Sequence, residues 1–304
     1  METKKHYFNP TISKISMLLS GIFMGNVGLF ITFLSSFSIF TIVLLRGLFG
    51  TIYLTIFMLI SKSLSRKFLK ESFKTHWKYL ILLSVTNPLV ILLYFFNISV
   101  TGYAIAAFLL YTSGIFLLLL LIITKEEKIS KINIISFILA TIGVAIIMEF
   151  WNASFFSIGI ILGILSGINL AILVYSKKKI YNYRMKNQQE IKLKGNFDIF
   201  LSWFSTLLLL LIFLPFGIAD LIKLTFIDIF ISMLLGLIPT ALAFTLYNVG
   251  VKNDKGGNIV ILSYFEPVMA TINTAIFLRS LSFFTIIGGT LILIANILIL
   301  RFSK

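Results

Sequence analysis

GYAIAAFLLYTSGIFLLLLLIIT, residues 102–124, contains no charged side chain and ends abruptly at Lys125-Glu126-Glu127. A run of this length and polarity matches the roughly 20 apolar residues that an α-helix needs to cross a hydrocarbon core of about 30 Å. The rest of the chain repeats the pattern. Of 304 residues, 59% are apolar and 12% charged, and the mean hydropathy is +1.03. A water-soluble domain carries about twice that share of charge. The apolar surface therefore calls for lipid as its solvent, and the fold class expected is an all-α membrane protein.

Spans are predicted near residues 15–35, 37–61, 78–97, 102–124, 132–150, 157–176, 197–217, 226–250, 256–278 and 282–301. Ten spans place both termini on one side. With that side inside, the inner segments hold 23 of the 26 Lys and Arg residues; Lys223 and Arg279 lie outside, and Arg46 lies within a span. The asymmetry gives a multi-pass protein of the cytoplasmic membrane with its N- and C-termini cytoplasmic. It also accounts for the net charge of +15 without nucleic acid, since the basic stretches face anionic lipid.

Ten spans divide into two fives, and an odd number per half turns the second upside down relative to the first. The expected halves are residues 1–152 and 153–304. At an offset of 153, Tyr94 meets Tyr247, Tyr111 meets Tyr264, and Ser113-Gly114 meets Glu266-Pro267. Such inverted repeats permit mirror-related inward-open and outward-open states around a midplane site.

Charges within the spans are few. Arg46 and Glu266 each lie about ten residues into a span, where insertion costs about 2.5–3.5 kcal/mol, so each is expected to face protein or a watery cavity. Two readings stand: buried polar anchors, paired or separate, or a transport site in which Glu266 holds an ammonium or coupling proton and Arg46 a carboxylate. Asn26, Asn87, Tyr111, Ser113, Asn169, Thr240 and Asn273 are neutral polar residues at mid-depth and complete the candidate lining. Glu266 and Asn273, seven apart, share a helix face with Ala270 between them. Pro267 is expected to free a backbone carbonyl inside the ninth span. Tyr94, Tyr103 and Tyr247 fall near span ends, which favours a membrane-interface role. Gly159, Gly163 and Gly167 form a small-residue ridge suited to close helix packing within the chain, with homodimerisation as the alternative.

The chain lacks Cys, and His6 and His76 fall in basic stretches outside the spans, so neither a catalytic nor a metal site is expected. Phosphate-loop and zinc-protease signatures are absent, and no cofactor is expected. Without a domain to hydrolyse ATP, active transport must draw on a proton or other ion gradient, or on exchange.

The segment LLGLIPTALAF, residues 234–244, and SYFEPV, residues 263–268, resemble the eighth and ninth spans of EamA-type members of the drug/metabolite transporter superfamily. Residues 104–116, Lys125-Glu126-Glu127, Ile142-Gly143-Val144 and Leu45-Arg46-Gly47 are similar to the corresponding first-half segments. The chain departs from that pattern at Met24, Gly114 and Arg279-Ser280. The resemblance implies ten helices in two inverted repeats around a central cavity, and a carrier for the export or uptake of amino acids or related metabolites; export is the direction expected here. Carriage of nucleotide-like solutes, sugars or quaternary amines is the alternative. A membrane-embedded enzyme, a channel and a lipid-moving protein are more distant readings.

Overall fold

A computed structural model describes residues 10–125, 130–147, 150–152, 158–186, 195–252, 254, 259–278 and 283–302. Among these residues the secondary structure is helical, without a strand. Backbone polar groups have no water to bond inside a bilayer, and helices satisfy them within each segment. Among the described residues, seven helical segments are long and apolar enough to cross a membrane, and Lys131–Ile146 and Ile286–Ala295 are shorter apolar helices. The outward faces carry large apolar side chains that lipid would cover; Ile123, Ile222 and Phe226 are 73%, 92% and 85% exposed.

The chain opens with α1 (Pro10–Met24) and α2 (Val27–Phe33), separated at Gly25-Asn26. There Asn26 Nδ2 donates to the Ile22 carbonyl at 2.9 Å, replacing a backbone bond lost at the break. Next come α3 (Ile39–Ile60) and α4 (Arg66–Thr101), started by Ser38 and Ser65, whose hydroxyls accept from Thr41 N and Phe68 N. Such caps satisfy N–H groups that the first helical turn leaves without partners. After Gly102, at φ +84°, the chain forms α5 (Tyr103–Tyr111), α6 (Ser113–Thr124), α7 (Lys131–Ile147) and α8 (Ile158–Lys186).

The later part comprises α9 (Phe197–Gly217), α10 (Phe226–Gly236), a π-helical segment (Leu237–Leu242) and α11 (Ala243–Lys252). A 3₁₀ segment (Val260–Tyr264), α12 (Phe265–Leu278) and α13 (Phe283–Phe302) complete it. The most extensive packing joins α3 to α9, α7 to α13, α4 to α8, and α1 to α11. Glycines let two of these pairs meet backbone to backbone. A Cβ on Gly47 would lie 2.6 Å from Leu210 N, and one on Gly143 would lie 2.6 Å from the Gly288 carbonyl.

Several expectations change here. α4 begins at Arg66, not near residue 78, and His76 lies inside it, buried, with its ring edge-on to Tyr183 and Phe197. α8 continues to Lys186, ten residues past the predicted end at 176. Hydropathy marks where a helix leaves the apolar layer, not where its hydrogen bonding stops, so basic residues on a continuing helix read as loop. The predicted fourth span is divided at Thr112. Pro267 lies in the first turn of α12, where its missing N–H costs little, and not in a helix interior. The Glu126-Glu127 pair, His6 and Arg279-Ser280 fall outside the described residues.

Candidate functional site

The glycine ridge of α8 sets the site's floor plan. Cβ atoms at Gly159, Gly163 and Gly167 would run into Thr101, Leu109 and Thr112 respectively. The ridge is therefore filled from within the chain, and it draws α8 against the end of α4 and against α5. Gly25 does the same for α1 and α12, since its Cβ would lie 2.9 Å from the Glu266 carbonyl. Asn273 Nδ2 donates to the Gly25 carbonyl at 2.7 Å and to Asn26 Oδ1 at 3.1 Å.

Between these close-packed helices lies a cavity of about 80 Å³. Its walls are mostly apolar, with Val27, Ile91, Leu110, Leu173 and Val260 among them. Of the residues predicted to line it, Arg46, Asn87, Tyr111, Ser113 and Glu266 do so; Asn26, Asn169, Thr240 and Asn273 do not. Asn26 and Asn273 hold the α1–α2 break, Asn169 Nδ2 donates to the Leu165 carbonyl, and Thr240 holds Arg46.

Glu266, buried, faces two phenols. Tyr111 donates to its Oε2 at 2.7 Å and Tyr94 to its Oε1 at 3.3 Å. Tyr264 stands edge-on to Tyr111, with ring centroids 4.8 Å apart, and donates to the Tyr111 carbonyl at 2.8 Å. Together the three rings orient the carboxylate while leaving it acceptor capacity, because an ionised carboxylate offers about four lone-pair sites.

Arg46 is engaged differently. Its Nε donates to Thr240 Oγ1 at 3.0 Å and its Nη2 to the Pro239 carbonyl at 3.1 Å. That carbonyl belongs to the π-helical segment, whose widened turn disturbs the regular bonding pattern. The guanidinium also lies 5.5 Å and 5.2 Å from the ring centroids of Phe95 and Phe244. Among the described residues Arg46 and Glu266 form no ion pair, although both line the same cavity.

One charged lining residue is absent from the sequence-based candidates. Lys177, grouped there with the inner basic segment, is 4% exposed and reaches the cavity from the extended part of α8. Its Nζ lies 6.0 Å from the Phe244 ring and 5.1 Å from the Tyr247 ring. The next residue, Lys178, is buried too and pairs with Asp254 at 3.0 Å. Tyr94 and Tyr247 likewise line the cavity and are buried, and Tyr103 packs on Gly28 and donates to the Met24 carbonyl. The interface reading of these tyrosines is therefore replaced by an interior one. The 153-residue recurrence of tyrosines was the available signal for Tyr94 and Tyr247; nothing in local composition marks Lys177.

A polytopic helical bundle around a small buried cavity with fixed charges is the architecture of a membrane transporter. The chain matches the model of the EamA-like transporter family over residues 11–149 and again over 157–301, and it belongs to that family. A protein of Archaeoglobus fulgidus described as an uncharacterized transporter is 27% identical over 285 residues, covering 93% of this chain and 94% of that one. A solved crystal structure has the same fold at 13% identity, with a TM-score of 0.69 over 95% of this chain and 96% of the other.

Proposed function

We propose that this protein is a secondary transporter that carries a small organic metabolite across the cytoplasmic membrane by alternating access, in the direction of export. In this reading the chain crosses the bilayer ten times, with both termini cytoplasmic. Residues 1–152 and 153–304 are inverted repeats that rock about the cavity. Amino acids and their relatives are the solute class carried forward from the sequence.

The observation that carries this reading is the make-up of the cavity wall. Tyr94 and Tyr247, Tyr111 and Tyr264, and Ser113 and Glu266 are separated by 153 residues, and both members of each pair line the cavity. The same holds for Met24 and Lys177, Ile91 and Phe244, and Leu110 and Ser263. A site assembled from equivalent positions of two repeats sits where their pseudo-symmetry axis would pass. The packing fits as well: exchanging the halves converts the α4–α8 contact into the α1–α11 contact and leaves α3–α9 and α7–α13 unchanged. The double match to one family model supports the same division.

Glu266 supplies the coupling element. It is a carboxylate between helices of the two halves, held by phenols from α4 and α5, and available to a proton or a substrate cation. The test is flux in proteoliposomes loaded with candidate metabolites. Saturable uptake accelerated by solute on the opposite side, and lost in Glu266→Gln, is the expected result. Flux that rises linearly with concentration and ignores solute on the opposite side refutes a carrier.

A further inference from the structure

We infer that the cavity selects a solute with net negative charge, a small organic acid with an apolar body, and that Lys177 and not Arg46 is the group that receives its anion. The inference rests on the carrier reading above and specifies the substrate class of that cavity.

The argument begins with the charges on the wall. Arg46 and Lys177 are the cations and Glu266 the anion; the other lining side chains are apolar, phenolic, hydroxyl or amide. With all three ionised, the lining carries one surplus positive charge. An uncompensated charge in a low-dielectric interior is strongly disfavoured, and an entering anion removes that penalty.

Hydrogen bonding separates the two cations. Arg46 spends two of its five N–H donors, from Nε and Nη2, on Thr240 and Pro239, which fix the guanidinium near the Phe95 and Phe244 rings. These contacts tie α3 to the π-helical segment and give Arg46 a structural role. Lys177, by contrast, makes no hydrogen bond or ion pair among the described residues. Its contacts are the faces of Phe244 and Tyr247, which attract a cation but accept no conventional hydrogen bond. An ammonium has three donors, so it enters the cavity with bonding capacity in hand. A carboxylate on a solute would take those donors, and its apolar body would lie against Ile91, Leu110 and Leu173.

The repeat supports the assignment. The position equivalent to Lys177 is Met24, a neutral chain of similar reach that also lines the cavity. Packing at this level is thus met by a thioether, and the charge at Lys177 is an addition to one half only. The same comparison supplies the most informative substitution, Lys177→Met.

The experiment uses the purified full-length protein and three probes with one body: N-acetyl-leucine, leucine and leucinamide, of net charge −1, 0 and +1. Binding is read from ligand-induced thermal stabilisation. The expected affinity order is N-acetyl-leucine, then leucine, then leucinamide. Lys177→Met weakens N-acetyl-leucine by about tenfold or more, as loss of one charge-assisted hydrogen bond requires. It leaves leucinamide unaffected or improved, and Lys177→Arg restores the order. Lys177→Gln, which keeps a polar head, is measured in parallel so that a folding defect in Lys177→Met does not stand alone. Equal binding of N-acetyl-leucine and leucinamide, an order unchanged by Lys177→Met and Lys177→Gln, or no stabilisation by the anion overturns the inference. Stimulated exchange of leucinamide without binding of N-acetyl-leucine overturns it while preserving the carrier. Lys177-dependent binding with linear, unstimulated flux preserves the anion site and removes the carrier.

Discussion

Replacing Tyr111 by Phe removes one hydroxyl and keeps the ring edge-on to Tyr264. The lost bond is the 2.7 Å contact to Glu266 Oε2, fully inside the bundle. Interhelical hydrogen bonds in membrane proteins contribute about 0.6 kcal/mol on average, up to about 1.7. A carboxylate acceptor roughly doubles the value of a neutral bond, so Tyr111→Phe is expected to cost about 1.2 kcal/mol. The Tyr94 contact, at 3.3 Å, lies beyond the usual O–H···O range, and Tyr94→Phe is expected to cost less than about 0.5 kcal/mol. In a Glu266→Gln background the acceptor is neutral, and the Tyr111→Phe cost falls to about 0.6 kcal/mol. The double-mutant cycle therefore predicts a coupling of about 0.6 kcal/mol. Reversible unfolding in mixed micelles, followed by helical circular dichroism, measures all four species. If Tyr111→Phe costs the same in both backgrounds, or less than Tyr94→Phe, the phenol–carboxylate arrangement is not the one described.

Gly167→Ala would set a Cβ 2.5 Å from Thr112 Oγ1 and is expected to destabilise by about 1–3 kcal/mol. Gly289→Ala, with nothing within 4 Å of its Cβ, is expected to be neutral or stabilising by up to about 1 kcal/mol in the same unfolding assay. Thr240→Val removes the acceptor from Arg46 Nε and leaves a buried cation short of a partner; a loss of at least about 1.5 kcal/mol is expected, against a smaller loss for the more exposed Thr55→Val. The chain has no Cys, so single introduced thiols report topology cleanly. Lys223→Cys, at an exposed outer position, is expected to react with a membrane-impermeant maleimide on intact cells and Lys62→Cys only after permeabilisation; the reverse pattern inverts the orientation.

The bilayer made much of this fold readable before any coordinates. Runs such as 197–217 and 37–61 announce themselves because a spanning helix must be apolar for its whole length, and the structure places α9 at Phe197–Gly217 and α3 at Ile39–Ile60. Arg46 and Glu266 stood out for the converse reason, as charges where charge is expensive. Lys177 escaped because hydropathy averages over many residues and assigns a lysine beside Lys178 and Lys179 to the aqueous edge. What buries it is tertiary: the Phe244 and Tyr247 rings arrive from α11, about 70 residues later in the chain. The polar candidates divided on similar grounds. Asn26 and Asn273 do face other helices, but each is taken up by the broken backbone between α1 and α2. Depth is a property of sequence; which side of a helix finds a partner is not.

The widened turn at Leu237–Leu242 has a geometric corollary for the cavity wall. A π-bulge holds one residue more than the α-helical path it replaces, and each α-helical residue turns the chain by about 100°. Were the bulge to relax into an ordinary helix, every side chain beyond it would change azimuth by about one residue's rotation relative to α10. Phe244, the ring shared by Arg46 and Lys177, begins the stretch that would swing, with Tyr247 one turn behind. A register shift of a single residue would thus strip Lys177 of both its rings at once and leave Arg46 with Phe95 alone.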